Sequence, residues 1–340
     1  MILLALETSC DETSAAVVRD GVVLSNVVSS QISLHAEYGG VVPELATREH
    51  LKNLPRVTES ALHEAGVRAD ELQALAATQG PGLPAALMVG LRAAQSMAFA
   101  LGKPFIGINH HEAHLYSPWI HGEPLRARFD EFQPNVSLIV SGGHTMLVHV
   151  EAELKHRVLG STIDDAAGEC FDKVAKLIGL PYPGGPQMDR LARDGNAKRF
   201  DFPRPMMREA NDDFSFSGLK TAVRYFLRDN PSLLSDLQAV HDLCASVQHA
   251  IVEVLVTKTM RAAERLAVGC VTASGGVTAN SALRRELETA CDKRRLKLRV
   301  AERSLCTDNA AMIGILAERK LIAGLSSELD ADIAPGLALG

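Results

Sequence analysis

The sequence predicts an α/β protein made of two related lobes, each led by a β-hairpin. Three observations carry that expectation. The chain has 340 residues, beyond the size at which a single hydrophobic core usually stops growing. Short apolar runs bounded by turn residues alternate with longer helical stretches, as α/β architecture requires. One arrangement (strand, small polar turn, strand, spacer, strand) occurs twice, displaced by about 134 residues at its first strand and about 135 at its third.

The elements follow in order. Residues 3–6, 15–18 and 22–24 read as three antiparallel strands, joined by Thr8-Ser9-Cys10-Asp11-Glu12-Thr13 and by Asp20-Gly21. A helix opens at Pro43, and Pro55 is expected to kink or split it. A strand over 74–78, an Ala-rich helix over 84–101 closed by Gly102, and a strand over 104–108 come next. The second copy begins near Val136, with strands over 138–140, 146–150 and 158–159 around Ser141-Gly142-Gly143-His144-Thr145. Helices over 164–178, ended by Gly179, and over 234–266 follow, then a strand over 270–273 and a helix after Asn280. The lobe boundary is expected between 109 and 135, giving lobes over 1–110 and 111–330. A final helix over 308–323, stopped by Gly324, is expected to pack back across the lobes. The tail over 331–340, rich in Gly, Pro and Ala, reads as frayed.

Composition narrows the function. The net charge of −6 means that electrostatics alone would not draw the chain to a nucleic acid. Arg284-Arg285 and Lys293-Arg294-Arg295-Leu296-Lys297 are local basic stretches, of a length that ordinarily marks a solvated helix end. No run approaches the roughly eighteen consecutive apolar residues of a membrane span, and no basic region precedes Glu7. That pattern predicts neither signal peptide nor anchor, and a cytoplasmic protein. The six cysteines, Cys10, Cys170, Cys244, Cys270, Cys291 and Cys306, include no C-x-x-C pair, which argues against a disulfide framework and a cysteine zinc site.

Asn109-His110-His111-Glu112-Ala113-His114 follows a strand, and His110 and His114, four apart, share one face of a helical turn. That spacing suits two imidazole ligands on one metal, with a third ligand from elsewhere. An isolated pair of this kind is ordinarily a polar helix start. Three histidines within five positions, at a predicted lobe junction, favour the metal. In the zinc-peptidase pattern H-E-x-x-H the glutamate directly follows the first histidine. Here Glu112 stands roughly 200° round the helix from His110, so a metallopeptidase is the weaker reading.

Three turns suit a nucleotide. Ser141 to Thr145 offers glycines for close backbone approach and hydroxyl donors to an oxyanion, or is a plain tight hairpin. Ser274-Gly275-Gly276-Val277-Thr278-Ala279-Asn280 leads from a strand into a helix, where adenosine or phosphate docks. Pro183-Gly184-Gly185-Pro186 wraps a ribose or simply joins two helices. In the turn after the first strand, Asp11 and Glu12 would repel phosphate unless they hold a cation or act as a base.

Together these segments resemble the threonylcarbamoyl transferase family of tRNA modification, called TsaD in bacteria and formerly labelled a sialoglycoprotease. The resemblance runs from Leu6-Glu7-Thr8-Ser9-Cys10-Asp11-Glu12-Thr13 through Val42-Pro43-Glu44-Leu45-Ala46 and Gln79-Gly80-Pro81-Gly82-Leu83. It continues through the histidine and Ser-Gly-Gly-His-Thr segments to Asp164-Asp165-Ala166-Ala167-Gly168-Glu169, Phe214-Ser215-Phe216-Ser217-Gly218-Leu219-Lys220-Thr221 and Cys306-Thr307-Asp308-Asn309. One departure is that Asn109 and His111 stand where the family often has a histidine and an aliphatic residue; neither position is a ligand in the family.

The resemblance implies an actin-like, Hsp70-like ATPase (ASKHA) fold of two ribonuclease-H-like lobes with the site in the cleft between them. It implies a divalent metal, Fe(2+) or Zn(2+), on His110, His114 and Asp308. Contacts to an adenine nucleotide, threonylcarbamoyl-AMP or ATP, map onto Ile139, Val140, Ser141, Gly142, Gly143, Asp172, Gly185, Asp189 and Asn280. The implied reaction passes threonylcarbamoyl to N6 of the tRNA adenosine just 3′ of the anticodon, with Asp11 or Glu12 accepting the amine proton. The implied partners are tRNA, a TsaB-like paralogue, a TsaE-like ATPase and a TsaC-like synthase supplying the adenylate, with no membrane involved. The rival class is a nucleotide-switched actin-like module, which the histidine pair disfavours.

Overall fold

Five apolar residues in six make Ile2–Glu7 (β1) a strand buried almost throughout, as a central strand covered on both faces must be. The structure, a computed structural model, describes residues 1–340, and they divide into two units, Met1–Phe132 with Ala301–Gly340, and Gln133–Val300. In the first, β1 pairs antiparallel with Glu12–Arg19 (β2), and β2 with Val22–Ser30 (β3). Its other side pairs parallel with Ala74–Gly80 (β4), which pairs parallel with Phe105–Asn109 (β5). Ile120–His121 (β6) and Arg126–Ala127 (β7) extend the far edge, giving the order β5-β4-β1-β2-β3-β7-β6. The helices interleaved with these strands are Ile32–Ala36 (α1), Pro43–Ala65 (α2), Pro84–Leu101 (α3) and His110–Tyr116 (α4).

The second unit contains Asn135–Val140 (β8), Thr145–Ala152 (β9) and Lys155–Ser161 (β10), followed by Ala167–Leu177 (α5), Gly184–Ala192 (α6), Ser217–Asp229 (α7) and Leu237–Arg265 (α8). Cys270–Ser274 (β11), Ser281–Arg294 (α9) and Lys297–Val300 (β12) complete it, in the sheet order β10-β9-β8-β11-β12. Each sheet therefore runs third, second, first, fourth, fifth, with an antiparallel hairpin half and a parallel half. The first three strands of the two units start 133 residues apart: Ile2 and Asn135, Glu12 and Thr145, Val22 and Lys155. The duplication expected from the strand pattern is present in the topology.

Four expectations are corrected. Residues 111–132, expected in the second lobe, lie in the first unit. The final helix, Ala310–Ile322 (α10), also belongs there rather than bridging: it packs on β1 and β2, where a Cβ on Gly314 would meet Val18 Cγ2 at 2.8 Å. Pro55 does not split α2, which is assigned as one helix from Pro43 to Ala65. The proline removes one backbone donor, while His50, Leu54, Val57 and Ala61 bury the helix face. The tail is not frayed. Ala334 N–H donates to Gln79 O at 2.9 Å, Gln95 to Ala331 O at 2.7 Å, and Arg92 pairs with Asp332 at 2.9 Å; polar backbone that finds partners on a folded surface stays ordered.

Helices α3 and α8 reach the length and mean hydropathy of a membrane span. Their packing accounts for that composition: α8 is the mostly buried spine of the second core, and α3 lies on β4.

Candidate metal centre and nucleotide turns

The metal candidates lie within the first unit. Asn109, the last residue of β5, accepts the Glu112 N–H at 3.1 Å and so caps α4, which starts the helix at His110. The cap gives Asn109 its role at the position where the resemblance shows a departure. Its side-chain amide also donates to Ala338 O at 2.9 Å, fastening the tail to the start of α4. One turn on, the His114 ring lies 4.8 Å from that of His110, at 86°. Asp308 immediately precedes Asn309, the N-cap of α10, which accepts Met312 N–H at 3.1 Å. Asp308 Oδ1 is 3.2 Å from His110 Nε2 and 3.4 Å from His114 Nε2, and one ligand atom from each of the three lies within 4.8 Å of the others.

Glu7, which the sequence reading did not single out, completes the group. Fully buried at the end of β1, its Oε2 lies 3.0 Å from His110 Nδ1 and accepts Thr78 Oγ1 at 2.5 Å, while Oε1 accepts Ser9 N–H at 2.5 Å. With Nδ1–H turned to Glu7, Nε2 is the nitrogen that His110 would offer a metal on losing its second proton. The available signal was a carboxylate ending an apolar strand, since a buried acid requires a partner.

The electrostatics follow. Burial opposes charge on His110, yet Asp308 and Glu7 outweigh it and hold the imidazole well above its ordinary value. Burial likewise disfavours the ionised carboxylates, but His110 keeps Asp308 well below the usual range and Glu7 below it as well. Burial first, and then the charge on His110, pushes His114 down against the opposing pull of Asp308 and Glu7.

The residues fit a divalent ion. His114 Nε2, 3.4 Å from Asp308 Oδ1, is buried without a well-formed hydrogen bond, a cost that ligation at that nitrogen removes. Two imidazoles and a carboxylate form a borderline donor set suited to Fe, Zn and related metals. Asp308, with 20% of its side chain accessible against 1% for His114, is the side open to a substrate oxygen. His111, its ring 6.0 Å from that of His110, stands outside the triad. Glu112 binds Lys320 Nζ at 2.5 Å, an engagement that ties up the carboxylate of the histidine segment.

Glu12 opens β2 and is buried. Burial first, then the charges of Asp11 and Asp308, pushes it up to about 10. The turn before it is held by His50, whose Nε2 lies 3.0 Å from Cys10 O and whose Nδ1 lies 2.8 Å from Thr13 Oγ1.

In the second unit a closed chain of contacts gathers the expected nucleotide residues. Ile139 and Val140 end β8, fully buried, and Ser141 N–H bonds His144 O at 2.8 Å to form the turn. A Cβ on Gly168, at the start of α5, would meet Ser141 O at 2.4 Å. Further along α5, Asp172 Oδ1 accepts the N–H groups of Gly184 and Gly185 at 2.7 and 3.2 Å. On α6, Asp189 Oδ1 accepts Ser281 Oγ at 2.7 Å, next to Asn280, which caps α9 through Leu283 N–H at 3.0 Å. The ring closes at Gly275 (φ 91°), whose Cβ would meet Val140 O at 2.4 Å. Gly142 and Gly143 differ: a Cβ on either meets nothing within 4 Å, and neither has a positive φ.

A duplicated sheet of this order, with a histidine-carboxylate cluster in one unit and glycine turns in the other, defines a member of the actin-like, ribonuclease-H-like ASKHA class. HypF from T. kodakarensis shares the fold, with a TM-score of 0.62 at 14% identity over 95% of this chain and 48% of that one. A family described as "TsaD: tRNA N6-adenosine threonylcarbamoyltransferase" matches residues 22–315. A relative of that name from Geotalea uraniireducens (strain Rf4) is 50% identical over 336 residues, 98% of this chain and 96% of the relative. Another, from Thermosipho africanus (strain TCF52B), is 45% identical over 339 residues spanning all of both chains. The chain belongs to the tRNA N6-adenosine threonylcarbamoyltransferase family, and is an acyltransferase that modifies tRNA.

Proposed function

We propose that the protein transfers threonylcarbamoyl from threonylcarbamoyl-AMP to N6 of adenosine 37, just 3′ of the anticodon, in tRNAs reading ANN codons, forming N6-threonylcarbamoyladenosine. The observation that carries this reading is the cluster of buried His110 and His114 with Asp308, whose ligand atoms lie within 4.8 Å of one another, in a chain of this family. A divalent ion there, Fe(2+) or Zn(2+), would supply charge stabilisation to phosphate and carbamoyl oxygens.

The residues suggest a direct displacement. The N6 amine attacks the carbamoyl carbon, the bond to the phosphate oxygen breaks, AMP leaves, and the amine proton passes to a base. No enzyme nucleophile is needed for so good a leaving group. Burial pushes the Cys10 thiol far up, Cys170 and Cys244 up to about 12, and Cys270 and Cys291 up to about 11, so none of these is a thiolate at neutral pH. Burial and the charges of Asp11 and Asp308 push Glu12 up to about 10, and the adjacent Asp11 and Glu12 together are the candidate acceptor.

Open backbone at Gly142 and Gly143 suits the adenylate phosphate, with Ile139, Val140 and Ser141 forming the strand end beneath. The carboxylates of Asp172 and Asp189, with Gly185 and Asn280 beside them, suit ribose and adenine. We assign the protein to the cytoplasm with its tRNA, and infer a TsaB-like paralogue, a TsaE-like ATPase and a TsaC-like synthase as partners.

The test incubates metal-loaded protein and these partners with tRNA and threonylcarbamoyl-AMP, then digests the tRNA for nucleoside mass spectrometry. Wild type should form the modified nucleoside, while His114→Ala and Asp308→Ala should lower it by at least about 100-fold. Wild-type levels from a metal-depleted Asp308→Ala variant would sink the reading.

A further inference from the structure

The net charge of −6 is divided unevenly. Gln133–Val300 carries 23 Lys and Arg against 20 Asp and Glu, net +3; the remaining residues carry 12 against 21, net −9. Much of the positive charge in the second unit is met at contact. Arg199 pairs with Asp242, Arg204 with Glu253, Arg265 with Asp212, and Lys173 with Asp165 and Glu169. The excess lies at one corner, where seven cations against three acids fall within residues 284–299.

At that corner Arg294 closes α9 against Glu264. Arg295, with φ 55°, turns the chain, and Lys297 opens β12, its N–H bonded to Gly269 O at 2.9 Å. Leu296, Leu298 and Val300 pack against the core and anchor the segment. Lys293, Arg295 and Lys297 are exposed, and none pairs with a carboxylate. Strand β12 is also the sheet edge, with β11 on one side and no strand on the other. Cations suit a helix C-terminus, and they keep an edge strand from pairing with other chains. One or two charges accomplish either task, whereas here the run continues from the last turn of the helix through the bend and into the strand.

We infer that this corner, centred on Lys293, Arg295 and Lys297, docks the phosphate backbone of the substrate tRNA. The inference rests on the reading of the chain as a tRNA-modifying enzyme and specifies where it holds the nucleic acid. Affinity for a polyanion depends on neutralising its phosphates, and the net −9 of the first unit works against it. An unpaired cation cluster on a rigid helix end and strand supplies the local attraction that the whole-chain charge lacks. Contacts of this kind position the nucleic acid without reading its bases.

The experiment measures tRNA binding by the full-length protein at several salt concentrations, for wild type and for Lys293→Gln/Arg295→Asn/Lys297→Gln. Asparagine at 295 tolerates the left-handed backbone. The expected result is a Kd about 10-fold weaker or more, and a log Kd against log salt slope smaller by about 2 to 3, with melting temperature and metal content unchanged. Lys52→Gln/Arg56→Gln on α2 should keep the wild-type slope. A folded triple variant with wild-type Kd and slope would overturn the proposal, as would an equal loss in the α2 variant. Should the triple variant not fold, Lys293→Glu and Lys297→Glu are read singly by the same criteria. Wild-type protein that neither binds nor modifies tRNA would overturn the enzyme reading along with this surface; wild-type binding matched by the variant overturns the surface alone.

Discussion

Lys320 Nζ on α10 lies 2.5 Å from Glu112 Oε2 on α4, tying the helix that carries His110 and His114 to the helix that Asp308 introduces. Both side chains are largely buried, so the pair acts as a strut between the two sources of ligands. Lys320→Met leaves Glu112 buried and unpaired, which should cost about 3 kcal/mol of stability. Metal affinity should fall about 10-fold, as for other groups that support a ligand shell. The charge-swapped double variant Glu112→Lys/Lys320→Glu should recover part of both. A lower melting point with unchanged metal affinity would confine the pair to a stability role.

Glu7 orients His110 and shares its proton. Because His110 sits well above its ordinary value in the metal-free protein, ion binding near pH 7 should expel about one proton. Affinity should fall as pH drops through the raised His110 value. Calorimetry in buffers of different ionisation enthalpy counts that proton. Glu7→Gln should reduce the count and weaken binding about 10- to 100-fold; a zero count in wild type would contradict the scheme.

Glu12 offers a stability test of definite sign. Its folded value of about 10 stands above its unfolded value of 4.5, so the folded state holds the extra proton between those limits. The contribution of this group is complete below pH 4.5 and declines as pH rises toward 10, at up to about 1.4 kcal/mol per pH unit. Glu12→Gln should therefore melt at least about 2 °C above wild type at pH 8, and close to it at pH 4.5. Thermal melts across that range decide it, and a pH-independent difference would count against the assignment.

The glycines of the second unit separate binding from folding. Gly143→Ala places its methyl in open space, so the melting temperature should hold while affinity for a threonylcarbamoyl-AMP analogue falls about 10-fold or more, by obstruction of the phosphate turn. Gly275→Ala meets Val140 O at 2.4 Å with φ 91° and should cost about 2 kcal/mol or more. Equal loss of stability in both would remove the distinction.

Much of the architecture was legible along the chain because strands and helices follow periods of a few residues. Ile2–Glu7 and Asn135–Val140 are apolar runs that announce buried strands, Gly102 stops α3 in the left-handed conformation, and a helix follows Asn280. The spacing of His110 and His114 belongs to the same local order. Asp308 entered only through family resemblance, and Glu7, 103 residues from His110, was not singled out, since nothing in a local pattern states which distant carboxylate a helix will face. Pro55 leaves α2 a single helix and the tail is held for a related reason: packing of the α2 face and hydrogen bonds joining the tail to Gln79 and Gln95 outweigh the local preference of proline and glycine.

The sequence by itself determined the repeated strand-turn-strand pattern, the helix ends and the imidazole pair, because each depends on neighbours within a turn or two. Tertiary structure alone decided that Glu7 orients His110, that Lys320 braces Glu112, and that the tail fastens Asn109. Those pairings join residues brought close only when each buried charge or polar group, on leaving water, must find a partner elsewhere in the fold.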